Sequence, residues 1–306
     1  MSRHPLLELN RRDQHPWFSL LFSLRGSVIP AVLPRAAWCA AFGIVISLLE
    51  SWGWQVSWPI LGSLVPTLVL GLLLVFRTNT AYERFWEGRK LWGTLVNTIR
   101  NLARQIWVVV EEHEAGDLTA KIATLRLLVA FAITLKSHLR HEPLPADLET
   151  LISPDQFHKL QTIGHPPLEV ALWITDYLQR CHRHDQLNLY QLTAMMTLID
   201  RMVDVLGGCE RILKTPIPLA YNIHLKQLLM LYCLSLPFQV VGNLHGWTAP
   251  IVGLISFTIF GIEEIGIEIE NPFGHDPNDL PLDAICRTMG QNIEDLIAPS
   301  PSMDEP

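Results

Sequence analysis

The sequence has few charged residues, and two long stretches have almost none. Asp, Glu, Lys and Arg make up 17% of its 306 residues, compared with roughly 25% in an average soluble domain. From Ala36 to Phe76 the only such residue is Glu50, and from Gln227 to Ile262 there is none. Each stretch is nearly twice as long as the ~20 residues that cross the apolar core of a bilayer. The composition therefore excludes a disordered chain and predicts an all-α membrane protein.

The sequence also lacks the patterns of several common functions. Its five cysteines are scattered without a CxxC pair, so we predict no disulfide framework. The GxxxxGK[ST], GxSxG, HExxH and GxGxxG patterns are absent, and we therefore expect no enzyme. The net charge of −7 argues against a nucleic-acid partner, because binding a polyanion requires a basic face.

Each uncharged stretch contains an internal break that divides it into two spans. The first break, Ser51–Trp58, carries three tryptophans, which are typical of the membrane–water interface, and the second is Gly242–Gly246. Neither break contains Lys or Arg, whereas both are frequent on the other side of the spans. The positive-inside rule therefore places both termini in the cytoplasm. The four predicted spans cover residues of about 34–50, 59–76, 221–241 and 249–267.

This topology predicts five regions. They are a cytoplasmic N-terminal segment (1–30), a first transmembrane hairpin (31–76), a cytoplasmic helical domain (77–220), a second transmembrane hairpin (221–267) and a cytoplasmic C-terminal segment (268–306) with a disordered tail after about 297. Apolar residues recur every three or four positions in the central domain, which predicts helices. These helices are Tyr82–Trp107, Ala120–Leu139, Leu168–Cys181 and Asn188–Leu213. The second span continues into the first of them without a Gly or Pro break.

Histidines and carboxylates suggest metal ligands at two places. His138 and His141 are three positions apart near a helix end, but tetrahedral zinc needs more ligands than one pair supplies. We therefore interpret them as polar surface histidines. A group of glutamates near the end of the fourth span is followed by Asp276 and Asp279, and Asx-rich turns offer oxygen ligands to calcium. These two aspartates are the candidates for a weak metal site.

The second predicted span contains a row of large apolar side chains along one side. Leu68, Leu72 and Phe76 are four positions apart and therefore share one face of a helix. Nearly every such triple in this span is apolar, so the spacing alone does not separate a pore-facing row from a packed or lipid-facing one.

Four segments of the chain resemble the bestrophin family, in particular its prokaryotic homologues. The longest, FRTNTAYERFWEGRKLWG at Phe76–Gly93, resembles the segment that follows the second helix of the family. The others are Arg25–Pro30 before the first span, Thr215–Tyr221 at the third and Glu268–Gly274 after the fourth. The resemblance covers about residues 15–295. Over this range the motifs occur in the same order as in the family, and the number of predicted spans is the same.

The resemblance implies a homopentameric ion channel in a prokaryotic inner membrane, with lipid and small inorganic ions as its other partners. It places a hydrophobic neck at Leu68, Leu72 and Phe76, and a second, cytoplasmic constriction near Leu187, Leu189 and Leu192. Animal bestrophins bind calcium with a continuous acidic run after Asn-Pro-Phe-Gly, and only Asp276 and Asp279 remain of it here. We therefore expect no required cofactor and no opening by calcium.

The charges next to the neck leave the permeant ion open. Arg77 and Arg84 would favour anions if they face the lumen, whereas the acidic group and the net charge favour cations. We narrowly favour an anion (chloride) channel over a monovalent cation channel of the same fold. A secondary transporter is a further alternative, which predicts inverted repeats and broken helices. The two hairpins do not resemble each other in sequence, but Pro66 and Pro237 are positions at which spans could break.

Overall fold

The computed structural model describes residues 23–24, 26–58 and 64–298. Over these ranges the chain forms helices and turns and contains no strand. The start of the second predicted span at 59–63, most of the N-terminal segment and the predicted disordered tail from 299 onward lie outside the described residues. The helices are α1 (Ile29–Ser51), α2 (Leu64–Val109), α3 (Asp117–Arg140), α4 (Pro154–Thr162), α5 (Pro166–Arg183), α6 (Leu189–Lys214), α7 (Leu219–Leu244), α8 (Thr248–Glu268) and α9 (Leu282–Ile297), with 3₁₀ turns at Ala146–Thr150 and His245–Trp247.

The helices match the predicted spans closely. α1, α7 and α8 each extend a few residues beyond the predicted bounds, and α2 continues without interruption into the following domain, as expected. α7 remains helical through Pro237, so it lacks the break that a transporter would need there. Pro66 is the third described residue of α2.

The chain packs into two compact units. The first contains the described residues up to Trp86 together with Thr215–Asp279, and the second contains Glu87–Lys214 and the described residues from Leu280 onward. These units reflect packing and do not mark the membrane boundaries, so the five predicted regions remain a prediction.

Small residues bring α1 and α8 close together in the first unit. A Cβ atom at Gly43 would lie 3.2 Å from the Cα of Ala249, and one at Gly253 would lie 3.1 Å from the Cβ of Ala40. Such small residues allow close helix packing in a membrane, where apolar burial alone gives little driving force. α7 completes the bundle by contacting both helices.

Helix α3 is the central helix of the second unit, although its hydropathy resembles that of a span. By length and composition it is apolar enough to cross a membrane, as are α1 and the segment Leu219–Glu268. Its apolar side chains are instead packed inside the protein; Leu125, Leu128, Phe131 and Leu135 are fully buried. Its basic residues form ion pairs with other parts of the same unit, including Lys136 with Asp283. The apolarity of α3 is therefore explained by its central position in this unit.

Candidate pore face on helix α2

One face of α2 presents large apolar side chains that none of the described residues covers. Leu68, Leu72 and Phe76 are 55%, 49% and 62% exposed. Leu70 and Leu74, on the opposite face, are 5% exposed and belong to the core that α2 shares with α1, α7 and α8. The helix therefore has a packed face and an unpartnered apolar face, and the predicted neck residues lie on the unpartnered one.

The exposed face of α2 continues beyond Phe76 with polar and aromatic side chains. Asn79 and Glu83, which follow at helical spacings of three and four, are exposed, and so are Tyr82 and Trp86. The other helices of the first unit also expose large apolar residues, as is typical of surfaces that face lipid. The same side of α2 thus carries the apolar row and, farther along the helix, exposed polar side chains.

Arg77 does not lie on this face. At 100° per residue it is about 180° from Leu68 around the helix, and its side chain is buried. It forms an ion pair with Glu270 (Nη2 to Oε2, 3.3 Å) and donates a hydrogen bond to Asn222. Arg84 donates from Nε to the backbone oxygen of Glu270 at 3.1 Å. The two arginines thus bind the end of α8, and the argument that they favour anions from the exposed face of α2 is not supported by this structure.

The acidic group at the end of α8 is largely engaged within the chain. Arg35 on α1 donates to Glu264 at 2.7 Å and also lies 3.8 Å from Glu263. Glu268 accepts a hydrogen bond from Asn278 at 2.7 Å. Glu270 accepts from the backbone N–H of Ile217 in addition to its contact with Arg77. These contacts hold α1, α2 and α7 to the end of α8, which gives the glutamates a structural role.

The predicted calcium ligands form a turn that is closed by protein hydrogen bonds. Asp279 accepts at Oδ2 from the backbone N–H of Asp276 at 2.7 Å, and its own N–H donates back to the Asp276 carbonyl at 2.9 Å. Asn278 donates to the carbonyl oxygen of Gly26 at 3.3 Å. The turn therefore contacts the N-terminal segment directly through Asn278. Calcium prefers six to eight oxygen ligands, and the carboxylate of Asp279 already accepts a hydrogen bond within the turn.

The three candidates for a second constriction lie in different environments. Leu187 and Leu192 are buried in the second unit, at 3% and 5% exposure, whereas Leu189 at the start of α6 is 61% exposed. The carbonyl oxygen of Leu187 also accepts a hydrogen bond from Nδ1 of His182 at 2.7 Å. Of the three, only Leu189 presents its side chain to a space outside the chain. Its neighbour Tyr190 is still more exposed and was not among the predicted residues.

Comparison with known proteins identifies the family of this chain. The sequence profile described as Bacterial/Fungal Bestrophin protein matches residues 9–295. The chain belongs to the bestrophin family. It is 61% identical to a voltage-dependent anion channel-forming protein of Nostoc sp., over 94% of each chain. It is 32% identical to the voltage-dependent anion channel-forming protein YneE of Escherichia coli, over 91% of this chain and 90% of that one.

Solved structures of bacterial bestrophins share the fold. A bestrophin homologue from Klebsiella pneumoniae, carrying a tyrosine-to-alanine mutation, superposes with a TM-score of 0.81 at 28% sequence identity. The match covers 88% of the present chain and all of the Klebsiella chain. The family predicted from the four sequence motifs is confirmed.

Membership in the bestrophin family also identifies the general class of this protein. This bestrophin is a membrane protein of a channel family, with helices that are apolar and long enough to span a bilayer. The relatives described above carry the names of channel-forming proteins. This agrees with the expectation that the chain is not an enzyme.

Proposed function

We propose that five copies of this bestrophin chain form an anion channel in which the exposed face of α2 lines the pore. The observation that carries the proposal is the unpartnered apolar row of Leu68, Leu72 and Phe76 on a helix whose opposite face is packed. A pore needs such a row, because the side chains that line a lumen contact no other part of their own subunit. The names of the relatives, voltage-dependent anion channel-forming proteins, support the choice of an anion channel.

The packing of the first unit supports assembly. α1, α7 and α8 pack against one another, and the buried face of α2 joins their core. The described helices of one subunit therefore enclose no lumen among themselves, whereas a closed ring of identical subunits places the same face of α2 around a common axis. The resemblance to bestrophins is the basis for five copies.

Four spans per subunit fit the helices of the first unit. They are α1, residues 59–76, α7 and α8, with both termini on the cytoplasmic side of an inner membrane. The loop between α1 and α2 exposes three tryptophans, Trp52, Trp54 and Trp58, which suits the opposite interface. Helix α3 is excluded from the count because its apolar residues form the core of the second unit.

The neck would act as a hydrophobic gate. Three apolar rings, each contributed five times, form a collar that expels water when it narrows, and a small monovalent ion does not cross a dry segment. Leu189 would form the second constriction, since it is the exposed one of the three leucines near the start of α6.

A monovalent cation channel is the second candidate, and Glu83 is the residue that favours it. Its exposed carboxylate lies two turns beyond Phe76 on the same side of α2. Against cations, the glutamates at the end of α8 are engaged by Arg35, Arg77 and Asn278 rather than left free. A replacement of Glu83 by Gln therefore tests how far this single carboxylate influences selectivity.

The decisive experiment measures the reversal potential of the purified channel. Protein reconstituted in a planar bilayer would be exposed to a potassium chloride gradient, and the sign of the reversal potential reports whether chloride or potassium carries the current. We expect the chloride sign for the native chain and for Glu83→Gln. A potassium-selective native channel that loses its selectivity in Glu83→Gln would establish the second candidate, and the absence of any current would contradict both.

A further inference from the structure

Two histidines and one glutamate converge in the second unit, away from the candidate pore face. His138 lies in the last turn of α3, His165 is the residue before α5, and Glu210 lies near the end of α6. The Nε2 atoms of His138 and His165 are 2.6 and 3.0 Å from the same oxygen, Oε1 of Glu210. The two imidazole rings are 4.6 Å apart between centroids. Three helix ends therefore direct their ligand atoms to one point.

The sequence pattern does not indicate this cluster. His141, the nearest histidine to His138 in the sequence, follows α3 in the left-handed conformation (φ 56°) and is not part of the group. The true partners lie 27 and 72 positions from His138 in the sequence, so no local spacing indicates them. The packing of α3 against α5 and α6 brings them together.

The two oxygens of Glu210 have different partners. Both imidazoles direct Nε2 to Oε1, while Lys214 donates to Oε2 at 3.0 Å. The two nitrogen atoms and Oε1 thus form a compact group of three potential ligand atoms, which the lysine leaves unobstructed.

Lys214 supports the carboxylate of Glu210 from the side opposite to the two histidines. The lysine also fixes the orientation of the carboxylate by holding Oε2, which leaves Oε1 directed at the two rings. An oriented carboxylate of this kind is typical of metal ligands that have a supporting partner.

We propose that His138, His165 and Glu210 bind one divalent transition-metal ion of the zinc class. Two imidazoles and one carboxylate form a known ligand set for zinc, with water in the fourth position. The three ligand atoms lie within 4.8 Å of one another, and ligands 2.0–2.1 Å from a tetrahedral ion are separated by about 3.3 Å. The distances of 2.6 and 3.0 Å from the two Nε2 atoms to Oε1 would therefore lengthen by about 0.7 and 0.3 Å.

The chemistry of the ligands selects the class of ion. Imidazole nitrogen binds zinc, copper or nickel well, whereas calcium and magnesium prefer sites made of oxygen. Each imidazole binds the ion through Nε2 in its neutral form, so the proton on Nε2 is either released to solvent or carried on Nδ1. The partial exposure of His138 and His165 gives the ion and its water access from solvent.

A bound ion would link the ends of α3, α5 and α6. Because the ligands are brought together only by folding, binding stabilises the folded second unit. This inference concerns metal binding in the second unit and is tested without any measurement of ion flow. Its test is therefore independent of the test of the proposed channel.

The test uses the full chain in detergent after treatment with a chelator. Isothermal titration with zinc chloride should show one zinc ion bound per subunit, and His165→Gln should weaken that binding by about tenfold or more. His158→Gln is the matched control, because it removes an exposed imidazole on α4 outside the cluster. Equal zinc affinity in His165→Gln and the native chain, or no binding to the native chain, would overturn the proposal.

A second measurement on the native chain covers the case in which the variant does not fold. Cobalt(II) bound by two imidazoles and a carboxylate should give the visible absorption of a four- or five-coordinate ion, and zinc should displace it. The five cysteines are buried, and a thiolate-to-cobalt charge-transfer band would show that cysteine is the ligand instead. Such a band, or the spectrum of hexaaqua cobalt alone, would contradict the site.

Discussion

Arg77 and Glu270 form a buried ion pair that joins α2 to the segment immediately after α8, with 3.3 Å between Nη2 and Oε2. Arg77 directly follows Phe76 in the helix but lies on its packed face, beside Gly266. Together with the buried Leu70 and Leu74, the ion pair holds this face of α2 toward the core, so Phe76 points away from it. The contact that stabilises the first unit thus positions the proposed neck.

Replacing Glu270 by Gln should destabilise the protein strongly. The substitution removes the carboxylate that contacts the buried guanidinium of Arg77, and breaking a buried ion pair in this way typically costs about 3–5 kcal/mol. Thermal unfolding in detergent would measure the loss. The control is Asp176→Asn, which breaks the exposed pair between Asp176 and Arg180 and should cost about 1 kcal/mol or less. Equal melting temperatures for the two variants would contradict the structural role of the pair.

Calcium should not open the channel. The turn at Asp276–Asp279 is closed by its own hydrogen bonds and contacts Gly26 through Asn278. We expect equal ion flux into liposomes at micromolar free calcium and in a chelator, for the native chain and for the double variant Asp276→Asn/Asp279→Asn. A large calcium-dependent increase that the double variant abolishes would show that these carboxylates form a functional site.

Leu189 and Leu187 should respond differently to replacement by alanine. Leu189 is exposed, so Leu189→Ala should change the melting temperature little while altering the conductance or the selectivity of the channel. Leu187 is buried, and Leu187→Ala should cost about 2–5 kcal/mol because it leaves a cavity. If Leu189→Ala leaves single-channel currents unchanged, the second constriction lies elsewhere.

Acid should weaken the contact between α3 and α9. Burial raises the pKa of Asp283, but the hydrogen bonds and charges of Lys136 and Arg140 outweigh it and lower the pKa to about 2. The folded-state pKa is below the ordinary value of 3.8, so the carboxylate stabilises the fold above about pH 4 and loses this effect as the pH falls toward 2. Asp283→Asn should therefore lower the melting temperature at neutral pH. The decrease relative to the native chain should be smaller at pH values near 3.

The control for this pH dependence is Asp295→Asn, on an exposed position of the same helix. Its melting temperature should follow that of the native chain at every pH. The assigned role of the ion pairs would be contradicted if the melting temperatures of Asp283→Asn and the native chain differed by the same amount from pH 7 to about pH 3.

The bounds of the long helices could be predicted from the sequence, whereas two shorter helices were missed. α4 is only nine residues long, and its signal is the capping box formed by Ser153 and Gln156. α9 carries Leu282, Cys286, Met289 and Ile293 at helical spacing, a pattern that indicates an amphipathic helix.

The orientation of Arg77 could also be predicted from the sequence. Leu70, Leu74, Arg77 and Ala81 follow one another at helical spacing, and all four are buried. That spacing separates Arg77 from the row Leu68, Leu72 and Phe76. By contrast, the meeting of His138 with His165 and Glu210 depends on how three helices pack, and no periodicity within one segment predicts it.

The single-channel conductance of Phe76→Ala tests the central claim most directly. If Phe76 lines the neck, five large side chains are removed from one ring at once, so the lumen widens and the barrier to wetting falls. The control, Leu231→Ala, removes a similarly exposed apolar side chain from α7, outside the proposed pore face. We predict a higher conductance for Phe76→Ala and Leu72→Ala and a native conductance for Leu231→Ala. Native conductance in Phe76→Ala, Leu72→Ala and Leu68→Ala alike, in correctly assembled protein, would remove this face of α2 from the pore.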